Sequence, residues 1–139
     1  MTDRLKDKVC IVTGGAKGLG RAYCKAMAGQ GATVVIADIA DGTALARDIG
    51  ATYIHTDVSK PDSAENCVTA TVEQFGTIDV LVNNAALYSV LPNARYDEID
   101  FELWDAVMAV NVRGAFAMIR FAAPVMEAQS KGKIINITS

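Results

Sequence analysis

Five short stretches of the chain read as strands: Val9–Val12, Thr33–Ala37, Thr52–Thr56, Ile78–Val82 and Lys133–Thr138. The first two are continuous apolar runs, the pattern of parallel strands covered on both faces. Between them the apolar period changes to that of helices. Leu19, Ala22, Tyr23, Ala26 and Met27 predict a first helix closed by Gly29-Gln30-Gly31, and Asp41–Ile49 a short second one ended by Gly50. Cys67, Val68, Thr71, Val72 and Phe75 predict a third, stopped by Gly76. Its start carries Ser59 and, three residues on, Asp62 around Pro61, which together read as a capping box. Leu87–Asp100, with Pro92 and mixed polarity, is expected to be a loop or short helix above the strand ends. Phe101, Trp104, Val107 and Met108 mark a further helix that continues past Asn111 through Phe116 and Ala122. Its second half is apolar almost all round except at Arg113 and Arg120, so both faces should be covered, one by the sheet and one by another subunit. Alternation of strand and helix predicts an α/β fold: three layers around a doubly wound parallel sheet of strand order 3-2-1-4-5, with the ligand site at the carboxyl ends near strands 1 and 4.

Candidate chemistry concentrates where the first strand hands over to the first helix, in V-C-I-V-T-G-G-A-K-G-L-G from Val9 to Gly20. A tight turn there aims the free N–H groups of a helix start, together with its dipole, at whatever lies above the strand ends, an arrangement suited to a pyrophosphate. A side chain at Gly14 or Gly18 would crowd the turn or the phosphates, and Gly20 would let the helix lie close to the sheet. The spacing is not that of a phosphate loop for NTP hydrolysis, since Lys17 precedes Gly18 instead of following it. Asp38 closes the second strand 18 residues beyond Gly20, where a carboxylate can accept both hydroxyls of an adenosine ribose. It would also repel a 2′-phosphate, and Ile39 stands where an arginine would be useful, so NAD is favoured over NADP; Lys17 is the dissenting residue. Capping of the next helix is the competing role for Asp38, and Asp41 is available for it. Asn83-Asn84 at the end of the fourth strand is unusual, because each amide needs partners if buried. Asn111 is a lone amide inside a helical pattern, where a local kink with a bonded water is the physical reading.

Thr13-Gly14-Gly15-Ala16-Lys17-Gly18-Leu19-Gly20 resembles the T-G-x-x-x-G-x-G segment of the short-chain dehydrogenase/reductase family. Asn83-Asn84-Ala85-Ala86 is similar to its N-N-A-G motif with Ala86 in place of glycine, Asn111-Val112-Arg113-Gly114 to its N-V-x-G, and the segment ending on Ser139 to the one that carries its catalytic serine. The resemblance covers the whole chain and implies a Rossmann domain over residues 1–139. It implies cofactor contacts at Gly14, Lys17, Gly18, Leu19, Gly20, Asp38, Asp57, Val58, Asn84 and Ala85, with Asp57 near the adenine amino group and the amide of Val58 near the ring nitrogen. It further implies that Ser139 hydrogen-bonds the substrate oxygen and that Asn111 keeps a water for proton relay. The family's acid/base is a tyrosine followed four residues on by lysine. Tyr23, Tyr53, Tyr88 and Tyr96 all lack that lysine, so none is assigned, and Tyr88 and Tyr96 could at most line the substrate space. Such enzymes run to roughly 250 residues, so the 139 residues are expected to be an amino-terminal part, inactive alone. The function implied is hydride transfer between NAD and an alcohol or carbonyl substrate; the alternative is a non-catalytic nucleotide-binding or interaction module.

Composition narrows this further. The 139 residues are 51% apolar and 21% charged, enough for one core. A net charge of −3 argues against nucleic acid as a partner. No uninterrupted apolar run reaches the length of a membrane span, and the first eight residues do not form a signal peptide, so a cytoplasmic enzyme is expected. The three cysteines, Cys10, Cys24 and Cys67, have no C-x-x-C spacing and read as buried inert thiols; His55 is alone, so no metal is expected. A homodimer or homotetramer acting on a small molecule completes the expectation.

Overall fold

A computed structural model describes residues 3–139. Five strands, β1 (Val9–Thr13), β2 (Thr33–Asp38), β3 (Thr52–His55), β4 (Val80–Asn83) and β5 (Lys133–Asn136), form one sheet of order β3-β2-β1-β4-β5 with every pairing parallel. Val9 faces Thr33 on one side of β1 and Cys10 faces Val80 on the other, so the first strand lies between the second and the fourth as the apolar pattern predicts. The strand order reverses between β1 and β4, which opens a crevice above their carboxyl ends.

Alternate residues of the strands feed two cores. Cys10, Val12, Val34, Ile36, Val80 and Val82 pack under helices α1 (Gly18–Gly29) and α2 (Thr43–Ile49). On the other face Ile11, Val35 and Leu81 pack with Cys67 and Val68 of α3 (Pro61–Phe75) and with Met118 and Ala122 of α5 (Ala115–Ala128). All three cysteines are free and buried. At the end of the sheet opposite the crevice, the buried carboxylate of Asp79 accepts the Val9 N–H at 3.0 Å, with the ammonium groups of Lys8 and Lys131 at 3.6 and 3.9 Å. It ties together the amino ends of β1 and β4 and the approach to β5.

One detail departs from the sequence reading and a second refines it. The capping box does not form: Lys60 is the N-cap of α3, Pro61 is its first residue, and the Ser59 hydroxyl donates to Asp57 instead, at 2.6 Å. The carboxylate two residues upstream offers Ser59 both a backbone and a side-chain bond, and it wins. Helix α4 (Phe101–Met108) passes into α5 through a π-helical turn at Ala109–Gly114, so Phe101–Ala128 is continuous over 28 residues. That helix is long and apolar enough to cross a membrane by length and composition, although no uninterrupted apolar run in the sequence is. Its Ala117, Met118, Ala122 and Met126 are buried against the sheet. Trp104, Val112 and Phe116 are left exposed by the described residues, on the side expected to meet another subunit.

Candidate functional site

The crevice holds a cleft of about 410 Å³ at the carboxyl ends of the central strands. Gly14 begins the turn that leaves β1; its N–H donates to the Ala37 carbonyl at 2.7 Å and its φ is +64°. A Cβ at Gly14 would stand 2.9 Å from the Ala85 Cα, so the glycine turn and the loop after β4 meet with no room for a side chain. Gly20 is tighter still. A Cβ there would overlap the Gly14 carbonyl oxygen and come within 2.6 Å of the Asn84 side-chain nitrogen. Its glycine therefore lets α1 close on the turn and on Asn84, a more local constraint than the helix-to-sheet contact expected. Gly15, not singled out in the sequence, is constrained in the same way by the Val12 carbonyl at 2.9 Å and Cys24 Sγ at 3.0 Å. Gly18, which also lines the cleft, is the exception, with φ +51° and nothing within 4 Å of where a Cβ would stand. Lys17 is the N-cap of α1, in an extended conformation, and no side chain caps the helix start.

Asp38 ends β2 at the edge of the same cleft. Its Oδ2 accepts the Ala16 N–H at 2.9 Å and its Oδ1 the Ala40 N–H at 2.9 Å. These bonds fix the carboxylate between the glycine turn and the loop after β2, and each oxygen keeps acceptor capacity for a ligand. Asp38 does not cap α2, whose N-cap is Gly42 with no side-chain bond. Asp41 accepts both the N–H and the hydroxyl of Thr43, which hold its carboxyl below the usual range. Asp57 accepts from the N–H and hydroxyl of Ser59, and its own N–H donates to the Ser63 hydroxyl at 2.9 Å. Asn84 spans the crevice floor, donating from Nδ2 to the carbonyls of Thr13 at 3.0 Å and Gly14 at 3.2 Å.

Gly14, Lys17, Gly18, Asp38, Asp57, Val58, Asn84 and Ala85 all line this one cleft. Leu19 points outward, 64% exposed, and Gly20 lies beneath the turn. Asn111 sits in the π-turn, where it accepts the Leu87 N–H at 2.7 Å and donates to the Leu87 carbonyl at 3.1 Å. The amide expected to bind a water is thus engaged with backbone, while its neighbour Val110 lines the cleft. Ser139 is exposed beyond the end of β5 and does not line the cleft. Tyr88 and Tyr96, 79% and 85% exposed, are not among its lining residues either, whereas Ser89 and Val90 are. The residue that sequence reasoning left without a role is Thr13. Its buried hydroxyl accepts the N–H groups of Asn84 and Ala85, each at 3.0 Å, and donates to the Val82 carbonyl at 3.3 Å. A polar side chain closing an apolar strand immediately before a glycine turn is the signal that could have found it.

The sequence profile described as short chain dehydrogenase matches residues 8–139. The chain belongs to the short chain dehydrogenase family. Among curated members of the family it is 36% identical to the trans-4-hydroxycyclohexanecarboxylate dehydrogenase of Sinomonas cyclohexanicum, with 100% of this chain and 57% of that protein aligned. It is 37% identical to the 3-alpha-(or 20-beta)-hydroxysteroid dehydrogenase of Mycobacterium tuberculosis, over 100% of this chain and 54% of that one. With the sorbitol dehydrogenase of Cereibacter sphaeroides it shares 41% identity, over 98% and 54% of the respective lengths. The crystal structure of gox2181 superposes with a TM-score of 0.94 at 30% identity, covering 99% of this chain and 55% of that one. This short chain dehydrogenase chain thus spans about half the length of the curated relatives it matches, at 54–57%.

Proposed function

We propose that this chain supplies the dinucleotide site of an oxidoreductase that moves a hydride between NAD and an alcohol or carbonyl substrate in the cytoplasm. The observation that carries the choice of NAD is Asp38, a carboxylate at the cleft rim fixed through both oxygens by the Ala16 and Ala40 N–H groups. So held, it accepts ribose hydroxyls without having to reorganise and opposes a 2′-phosphate by charge. The uncapped start of α1 offers its free N–H groups and dipole to the pyrophosphate, with Lys17 beside it as a solvated cation. The glycines fit that group: Gly18 leaves open the space a side chain would take, and Gly14 and Gly20 let the turn close. Asp57, with one oxygen committed to Ser59, turns the other acceptor to the adenine amino group, and the Val58 amide serves the ring. Bound NAD supplies the hydride acceptor. Family resemblance assigns Ser139 to the substrate oxygen and Asn111 to the proton path, and the Asn111–Leu87 bonds hold that amide beside the cleft.

The exposed row of Trp104, Met108, Val112 and Phe116, spaced by four residues along the continuous helix, is the face we assign to contact with a second copy in a homodimer or homotetramer. The activity is tested by following NAD reduction by the complete protein over a panel of secondary alcohols. Turnover with NAD that is lost in Asp38→Ala at cellular NAD concentrations supports the proposal; no turnover on any alcohol and no reduction of the matching ketones with NADH overturns it.

A further inference from the structure

One six-residue turn touches both loops that flank the cleft. The π-helical segment Ala109–Gly114 carries Asn111, bonded twice to Leu87 in the loop after β4. At its other end Arg113 donates from Nη1 to the Ser59 carbonyl at 3.0 Å. Gly114 beside it is buried against Val58: a Cβ there would stand 2.7 Å from Val58 Cγ2 and 3.2 Å from the Val58 carbonyl oxygen. The loop after β3 is therefore held on two sides. From within, Asp57 accepts from Ser59 and Lys60; from outside, the π-turn presses on Val58 and holds Ser59. Asp57 and Val58 line the cleft, and so does Val110 of the turn itself. A π-turn holds one more residue than an α-turn, which rotates everything after it, and such insertions persist in helices mainly at functional sites.

We propose that this turn sets the adenine end of the cleft, with Arg113 and Gly114 as positioning residues that fix where the Asp57 carboxylate and the Val58 amide meet the base. The proposal rests on the dinucleotide reading of the cleft given above. Gly114 contributes through space. Any side chain there must displace Val58, and a shift of a few tenths of an ångström misaligns a backbone donor from a planar ring. Arg113 contributes through the Ser59 carbonyl at the surface, a weaker constraint. A loss at the adenine end should leave binding of the nicotinamide half of the dinucleotide unaffected.

The test uses the complete protein and three variants, Arg113→Met, Arg113→Lys and Gly114→Ala, with NAD, AMP and nicotinamide mononucleotide as probes. Arg113→Met should weaken NAD and AMP about threefold, the range of one exposed charge-assisted bond, and Arg113→Lys should restore most of that. Gly114→Ala should weaken both about tenfold or more, as a sub-ångström misplacement does. Nicotinamide mononucleotide should bind all variants as it binds the wild type, which a general loss of fold would not allow. In the nucleotide-free protein, Arg113→Met should also speed amide exchange across Asp57–Lys60 without speeding it in β1 or β4. Parallel losses for all three probes, or unchanged exchange across Asp57–Lys60 in Arg113→Met, overturn the proposal. Failure of the wild type to bind NAD or AMP contradicts the nucleotide reading itself, and the exchange measurement then still decides whether the turn holds the loop.

Discussion

Replacing Thr13 by valine removes one hydroxyl and little else, because the two side chains have nearly the same shape. In this chain the consequence is concentrated. Thr13 is 1% exposed, and its oxygen is the acceptor for the N–H groups of both Asn84 and Ala85 at 3.0 Å. Valine leaves two donors without their acceptor in a crevice where water reaches them only in part. At about 1–1.5 kcal/mol for each partly buried donor, the low end of the range for an unsatisfied group, the cost is about 2–3 kcal/mol. The damage should also reach the ligand, since the Asn84–Ala85 turn is the surface against which the glycine turn closes. Urea unfolding of the complete protein reads the first effect as a lower midpoint at unchanged slope, and NAD titration reads the second. Thr13→Ser is the control. It keeps the hydroxyl and loses one methyl, for about 0.8 kcal/mol. A valine variant as stable as wild type, or a serine variant as damaged as the valine one, would refute the reasoning.

Three further expectations rest on the same geometry. Gly20→Ala should unfold or severely destabilise the nucleotide-free protein, since its Cβ overlaps the Gly14 carbonyl, whereas Gly18→Ala should cost only the left-handed backbone, about 1–2 kcal/mol, yet lose NAD binding; thermal melts and titration of both separate the two glycines. Burial pushes the Cys10 thiol up to about 11, with the Asp79 charge adding to it, and burial pushes the Cys24 thiol up to about 12. Unfolded thiols ionise near pH 8.5, so the stability these groups contribute is complete below about that pH and drains away as pH rises through the folded values. Denaturation midpoints should therefore fall above about pH 9, and a thiol reagent at neutral pH should label neither cysteine until unfolding; rapid labelling of the native protein would contradict this. Val112→Asp, on the exposed helix row, should shift the complete protein to a smaller species in sedimentation without changing its far-ultraviolet circular dichroism; an unchanged sedimentation coefficient would remove that face from the assembly.

The parallel sheet and most of the cleft could be read from the chain because they depend on local pattern. Val9–Val12 and Thr33–Ala37 are too apolar and too short to be anything but buried strands, and the glycines after Thr13 and the acid after Ala37 stand at strand ends where a crevice must form. What escaped notice depends on contacts between segments far apart in sequence. Gly15 is constrained from β2 by Ile36, and Thr13 by Asn84 and Ala85, partners about 70 residues away. Asp79 looks like one polar interruption of the apolar run Ile78–Val82 until Val9, Lys8 and Lys131 are brought round it. The capping box at Ser59 failed because two carboxylates, Asp57 and Asp62, compete for the Ser59 N–H, and the spacing rule sees only Asp62. The lone amide of Asn111 marked a local irregularity, but its π-helical form was not legible, because in a helix apolar on nearly every side one inserted residue leaves no break in the period.

The preference for NAD proposed for the Asp38 carboxylate is decided by calorimetric titration of the complete protein with NAD and with NADP under identical conditions. NAD should bind at least about tenfold more tightly, the equivalent of one unfavourable charge contact of about 1.4 kcal/mol, and Asp38→Asn should narrow the gap. Equal affinities, or tighter binding of NADP with Lys17 answering its phosphate, would contradict it.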